Sequence, residues 1–249
     1  MKIQDFGGNR VKKINLTQYG KQIFAEGEYF YYFYIATKNE KFTLSNLKSY
    51  TVIVYKCQNG CIQANDYCLE EGGVLIIDNK KLSCHVQADN VKLIVAGVEK
   101  NSVENKKIDK KNLDTVYKVT KPWGHELWLS GEHPDYCLKQ IFIKQGNKTS
   151  LQYHRFKKET NVLFSGEATL HYKSNQNINN KDVQSNDISL TSIWPVSAID
   201  IEPPVLHRLE STSDILLYEA STPQLDDVIR IEDDTNRMNG RISSEHRGF

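Results

Sequence analysis

The sequence of 249 residues lacks most of the features that assign a chain to a specialised class. It has no surplus of one charge: 32 Lys and Arg stand against 31 Asp and Glu, a formal net charge of +1. A protein that grips nucleic-acid backbone usually carries a basic excess, so no nucleic-acid partner is expected. No helix-turn-helix pattern is present either, which argues against a transcription regulator. No apolar run approaches the roughly 20 residues of a bilayer-spanning helix, and no membrane partner is expected. The first ten residues, MKIQDFGGNR, lack the apolar core of a secretory signal, which predicts a cytoplasmic protein. The five cysteines (Cys57, Cys61, Cys68, Cys84 and Cys137) include no C-x-x-C pair. They read as reduced thiols, not as a disulfide framework. Proline is scarce, with 6 residues, and long helical periodicity is scarcer.

What the sequence does hold is β-forming residues. Tyr (13) and Phe (9) are plentiful, and short runs such as YFYYFYIAT, YTVIVYKC, GVLIID and VKLIVAGV are aromatic or β-branched. Clusters of Asn, Asp, Gly and Lys bound each run, which predicts a sandwich or barrel of short strands. CLKQIFIK, TNVLFSG, EATLHYK, SAIDIE and DILLYEAS continue the rhythm in the second half. EKNSVENKKIDKK, from Glu99 to Lys111, is charged and without an apolar face, and so reads as a solvated linker. The expected domains are therefore 1–105 and 114–249. A second polar tract, Lys173 to Asp187, reads as a long hairpin loop, with a lid over a site as the lesser reading.

One stretch carries chemistry. In GNKTSLQYHRFKKETNVLFSG, from Gly146 to Gly166, Gln152 and His154 are two apart and share a strand face. Glu159 returns to them if the chain turns through RFKK, and His207 arrives later, in IEPPVLHRL. An amide oxygen, two imidazoles and a carboxylate converging in a barrel suit a divalent ion such as Zn²⁺, Fe²⁺ or Mn²⁺. Each of these residues taken alone has a structural reading, as a satisfied core histidine or a solvated turn glutamate.

The register resembles the first cupin motif, G(X)5HXH(X)3-4E(X)6G, at Gly146, His154, Glu159 and Gly166, with Gln152 in place of the first histidine. That variant is similar to the type II mannose-6-phosphate isomerase branch, also found as the C-terminal domain of mannose-1-phosphate guanylyltransferases. KPWGHELWL (Lys121 to Leu129), LKQIFIKQGNKTSLQYH (Leu138 to His154) and LLYEASTPQLDDVIRIEDDTNR (Leu216 to Arg237) resemble the same branch in order. The likeness runs from about Val116 to Arg241. Two departures stand out: Pro204 replaces the glycine before the histidine of the second motif, and the segment MNGRISSEHRGF has no counterpart.

The resemblance implies an all-β double-stranded β-helix, as a bicupin whose N-terminal half is a degenerate, metal-free barrel. It implies a metal at Gln152, His154, Glu159 and His207, zinc first, with iron, manganese, cobalt or nickel as alternatives. The implied activity is aldose–ketose isomerisation of a sugar phosphate, in polysaccharide or nucleotide-sugar metabolism, by a homodimer. Lys139, Glu219 and Arg230 are the expected catalytic residues, with His171 a further candidate base; Lys121, Trp123 and Arg237 are expected to bind substrate. Competing readings remain for several: Lys139 as an edge-strand lysine, Arg230 and Arg237 as salt-bridge partners of nearby aspartates, Trp123 as core. Thr222-Pro223 resembles a helix start that would lay the acidic segment across the barrel mouth. Rival functions are a metal cupin of other chemistry, such as an epimerase or dioxygenase, and a non-enzymic sugar-binding cupin. Gln152 weighs against the dioxygenase, which more often presents three histidines or two with a carboxylate.

Overall fold

The computed structural model describes residues 3–5, 11–15, 20–25, 28–45, 47–100, 104–173 and 188–246, with side chains described from residue 28 onward. Every regular element among them is a β-strand, and the strands pair antiparallel. Ala168–Lys173 and Leu82–Val86 bury every second residue, as strands with one face on a core do. Ser49–Gln58 and Asp89–Val98 lie inside their sheet and are mostly buried on both faces. Asparagine makes the tight corners. Asn39, Asn59, Asn65, Asn79, Asn90 and Asn236 are the described non-glycine residues at positive φ, where Asn is the most tolerated side chain.

The chain forms two compact units. One comprises residues 18–117 and 128–138. A six-stranded sheet (Lys107–Asn112, Gly73–Asp78, Ser49–Gln58, Asp89–Val98, Phe30–Ala36, Gly20–Ala25) supplies one face, and a four-stranded sheet (Lys41–Leu44, Leu82–Val86, Ile62–Ala64, Tyr67–Leu69) the other. Between them lies a core that includes Tyr50, Val52, Leu75, Ile77, Leu93 and Val95. The second unit comprises 1–17, 118–127 and 139–249. Its eight-stranded sheet runs Ile3–Asp5, Val11–Asn15, Ser197–Ile201, Glu159–Ser165, Ile215–Ser221, Cys137–Ile143, Gly124–Trp128, Tyr117–Lys121. The partner sheet runs Ser189–Ile193, Ala168–Lys173, Leu206–Ser211, Leu151–Tyr153, Ile229–Glu232. Ile141, Ile143, Leu163, Leu170, Leu209 and Leu217 form the apolar part of its interior.

These units differ from the single cut expected between 105 and 114. Val11–Asn15 pairs along its whole length with Ser197–Ile201, so an N-terminal strand belongs to the C-terminal unit. Residues 128–138 are tied into the other unit, where the Tyr136 hydroxyl lies 2.8 Å from Thr51 Oγ1 and His133 Nε2 lies 3.1 Å from Asp78. Nor is the charged segment a free linker: Lys107–Asn112 pairs residue for residue with Gly73–Asp78. An edge strand can be this polar because one face and its outer edge meet water. Cys61 and Cys68 are joined in a disulfide, in contrast to the expected five thiols; Cys57, Cys84 and Cys137 are free. The expected loop at Lys173 to Asp187 lies, beyond its first residue, outside the described residues.

Candidate metal centre

Two strands and the turn between them deliver the first ligands. Leu151–Tyr153 ends at His154, and Glu159 opens the next strand. Gln152 lies directly opposite His207 on one side and Arg230 on the other, and residues opposite each other in antiparallel strands share a face. His154, Glu159 and His207 each offer a ligand atom within 4.8 Å of the other two, all three buried. Among the described residues this is the grouping of His, Cys, Asp and Glu able to hold a metal.

The histidine tautomers follow from their second nitrogens. His154 Nδ1 donates to the Asp227 carbonyl, and His207 Nδ1 donates to the Val205 carbonyl at 3.0 Å. A carbonyl only accepts, so each neutral ring keeps its proton on Nδ1 and a lone pair on Nε2. Both Nε2 atoms are buried without a hydrogen-bond partner, 3.3 and 3.2 Å from the Glu159 carboxylate. Burial pushes the His154 imidazole below its ordinary pKa, with Glu159 opposing, which favours the neutral ring. Two lone pairs aimed at a carboxylate repel unless a cation sits among them. That arrangement fits a metal, and carbonyl partners on the far nitrogens are the usual way a metal-binding imidazole is oriented.

Lys157 is a residue that no sequence motif singles out. Its ammonium lies 2.6 Å from Glu159 Oε2 and 2.8 Å from Glu219 Oε1, fully inside. Burial alone would lower the Lys157 pKa, but the two carboxylates raise it well above the ordinary lysine value. Burial likewise would raise Glu159, and the Lys157 ammonium holds it well below the usual carboxylate range. Asn161 Nδ2 donates to the other Glu159 oxygen at 3.0 Å. The chain of charge continues inward: Lys139 lies 3.6 Å from Glu219 and 3.8 Å from Glu126, and Lys121 lies 3.7 Å from Glu126.

The turn 154–158 is held by a second residue absent from the expected set. Asp227 Oδ1 accepts from Arg155 N at 3.1 Å, and Oδ2 accepts from Phe156 N at 2.6 Å and Lys157 N at 3.0 Å. Burial pushes this carboxyl up, and the three N–H donors outweigh that and lower it. Asp227 thus fixes His154 through its carbonyl and the turn through its side chain. The expected helix at Thr222-Pro223 does not form. Thr222 Oγ1 instead accepts from Lys158 N, and the segment proceeds by turns to Asp227. The motif glycines serve backbone needs: Gly146 has φ 75°, and Gly166 has φ 79° with the Asp214 carbonyl 2.1 Å from where a Cβ would stand. Pro203 and Pro204, joined by a cis bond, form the turn before His207.

Of the other expected residues, Lys139 and Glu219 line the same interior as Glu159. Gln152 Oε1 accepts from Ser150 Oγ at 2.6 Å, which leaves its second lone pair for a metal. Arg230 is half-buried; its Nη1 donates to the Met238 carbonyl and, at 3.0 Å, to that of Gly240. Arg237 grips Asp233 at 2.7 Å and Glu245 at 3.3 Å, and Lys121 reaches Glu245 at 2.8 Å. Two expectations are corrected. Trp123 is packed in the apolar cluster with Ile141 and Ile143, leaving no ring face for a sugar. His171 pairs with Glu210 at 2.7 Å, and because its neighbour Tyr172 is the residue opposite His207, His171 faces away from the site.

The sequence model of the family described as "Mannose-6-phosphate isomerase C-terminal" matches residues 108–233, just over half of the chain. Among curated proteins no match is found. Solved structures align over most of the chain. A putative glyoxylate-induced protein from Pseudomonas aeruginosa gives TM-score 0.65 at 7% identity, over 87% of this chain and 90% of that one. Ylba from E. coli gives 0.61 at 11% identity, over 90% and 88%. Oxalate decarboxylase from Bacillus subtilis, a protein with Mn(II) centres, gives 0.60 at 6% identity, over 92% and 77%. At such identities the likeness is one of fold, an all-β cupin architecture in two units.

Proposed function

Because the chain belongs to the mannose-6-phosphate isomerase C-terminal family, we propose that it is a metal-dependent isomerase interconverting an aldose and a ketose phosphate. One observation carries the reading: two unprotonated imidazole nitrogens and a carboxylate converge beside a row of buried lysines and glutamates. His154, Glu159 and His207, with Gln152 Oε1, would hold a divalent ion, for which zinc is the first choice of that donor set. When bound, the ion supplies Lewis acidity towards the carbonyl and hydroxyl oxygens of an open-chain sugar.

The chain's own groups do the rest. Glu219 is the base by elimination: His171 faces outward, and Lys139 lies between two carboxylates as an ion-paired ammonium. Its carboxylate takes the proton from C2 and returns it to C1 of the enediol. One C–H bond breaks and another forms, with no outside oxidant or reductant. The Lys139 ammonium donates to the oxygen on which charge develops. Lys121, Arg230 and Arg237, clustered near Glu245, suit the phosphate end, guanidinium being its natural bidentate partner.

The test is metal analysis of the purified protein, joined to NMR of aldose and ketose phosphates in D₂O. The expected result is a bound divalent metal that is lost in Glu159→Gln and His207→Ala, with solvent deuterium entering C1 or C2. Metal without exchange across the panel would favour a sugar-binding cupin or one of other chemistry. Absence of metal, with Gln152→Ala and His207→Ala indistinguishable from the parent, would remove the reading.

A further inference from the structure

The C-terminal segment after Arg237 has no counterpart in the family segment matched at residues 108–233, yet it reaches the charged interior of the barrel. Glu245 is its innermost group. The carboxylate accepts from Lys121 Nζ at 2.8 Å through Oε2 and from Arg237 Nη1 at 3.3 Å through Oε1. Both side chains of the Lys121 pair are about nine-tenths shielded from solvent, at 9% and 11% exposure. A third cation borders the same place. Arg230 is influenced by Arg237, Asp233, Glu245 and Glu126 together, and burial and Arg237 pull its guanidinium below the ordinary value. Its Nη1 is spent on the carbonyls of Met238 and Gly240, while Nε is buried with no partner.

Glu245 is lodged between a lysine and an arginine, and these cations, with the unused buried Nε–H of Arg230, supply the donors and charge that a phosphate oxygen would seek. Two of these cations have a second carboxylate partner: Asp233 binds Arg237, and Glu126 lies 3.7 Å from Lys121. A dianion bearing more acceptor oxygens than Glu245 offers one to the unused Arg230 Nε–H.

We propose that Lys121, Arg230 and Arg237 form a phosphate-class anion subsite that Glu245 occupies from within, so that an anionic ligand enters by displacing the tail. The tail is a tethered competitor. Its grip is set by the effective concentration of a short linked segment, which is of millimolar order for flexible tethers. The lever is local: residues 238–240 stay anchored through Arg230, and Gly240 N donates to the Val228 carbonyl, so the segment beyond Gly240 is what must swing. The proposal extends the function above by a mode of regulation, and rests on it only for the expectation that the ligand carries phosphate.

The experiment measures inorganic phosphate binding by calorimetry at fixed ionic strength, with circular dichroism to confirm folding. Glu245→Gln keeps the shape of the tail and removes its charge, and is expected to tighten phosphate binding about tenfold. A chain ending at Gly240 retains both carbonyls that hold Arg230 and should behave alike if the point variant folds poorly. Adding Lys121→Met to either should return binding to the parent level or below. Equal affinity in parent, Glu245→Gln and shortened chain overturns the proposal, as does gain that survives Lys121→Met. Binding is read without turnover, so either result leaves the isomerase reading to stand or fall on its own test.

Discussion

Replacing Asp227 by asparagine tests how the ligand-bearing turn is held. The carboxylate accepts three backbone N–H groups, one on Oδ1 and two on Oδ2. Asparagine has one acceptor oxygen, and its NH₂ faces donors, so at least one of the three N–H groups loses its partner and the rest lose a charged acceptor. Hydrogen bonds to charged groups contribute roughly 1.5–3 kcal/mol each. Asp227, Arg155 and Phe156 are half-buried or exposed, so water replaces part of that loss and the total is nearer about 2 kcal/mol. For a chain of this size that is a fall of about 4–8 °C in Tm. The pH dependence has a definite sign. The folded-state pKa of Asp227 lies below its unfolded value, so its stabilisation is complete above about pH 4 and is lost as pH falls through the folded value. Melts of metal-free parent and Asp227→Asn should therefore differ at pH 7 and converge as pH falls below about 4. A difference under 1 °C at pH 7, or one that stays constant on acidification, would refute the reasoning.

Other perturbations separate causes in the same way. Lys157→Met strips the ammonium from two buried carboxylates and should cost about 3–5 kcal/mol in denaturant titration; a loss under 1 kcal/mol would show that Glu159 and Glu219 do not depend on it. Gly146→Ala meets only the positive-φ penalty, since nothing lies within 4 Å of the added methyl, and should cost about 1–2 kcal/mol. Gly166→Ala adds a collision with the Asp214 carbonyl and should be the worse of the two, in the same unfolding experiment. The Cys61–Cys68 disulfide closes a short loop, so a reductant should lower the melting temperature of the parent and leave Cys61→Ser unmoved, for a loss of about 2 kcal/mol. Thiol counting of the denatured parent should find three free cysteines, and five after reduction.

The candidate metal group was legible because a strand is a ruler. Gln152 and His154 share a face by parity, a turn of four residues returns the chain at Glu159, and Gly166 ends the strand where only glycine tolerates the approach of Asp214. Asparagine at the corners made the strand boundaries readable for the same local reason. Hydropathy misled at RFKK. Phe156 is 71% exposed while Lys157 is buried, the reverse of their transfer preferences, because the carboxylates of Glu159 and of Glu219, sixty residues distant, wait inside. Asp227 was likewise unreadable, since its three donors lie some seventy residues upstream and no local pattern marks an aspartate as a turn clamp.

The sequence by itself determined the β class, the cupin register and the spacing of Gln152, His154 and Glu159, because each depends on periods and spacings of a few residues. Tertiary structure alone decided what is charged inside the barrel and how the chain is shared out. Val11–Asn15 crosses to the second unit because a backbone edge pairs with any strand that fits it, and Trp123 turns inward because its neighbours are Ile141 and Ile143. Lys139 and Lys157 are buried because Glu219 meets them there from a distant strand, with Glu126 and Glu159 alongside, and burying a charge is tolerated only beside its opposite.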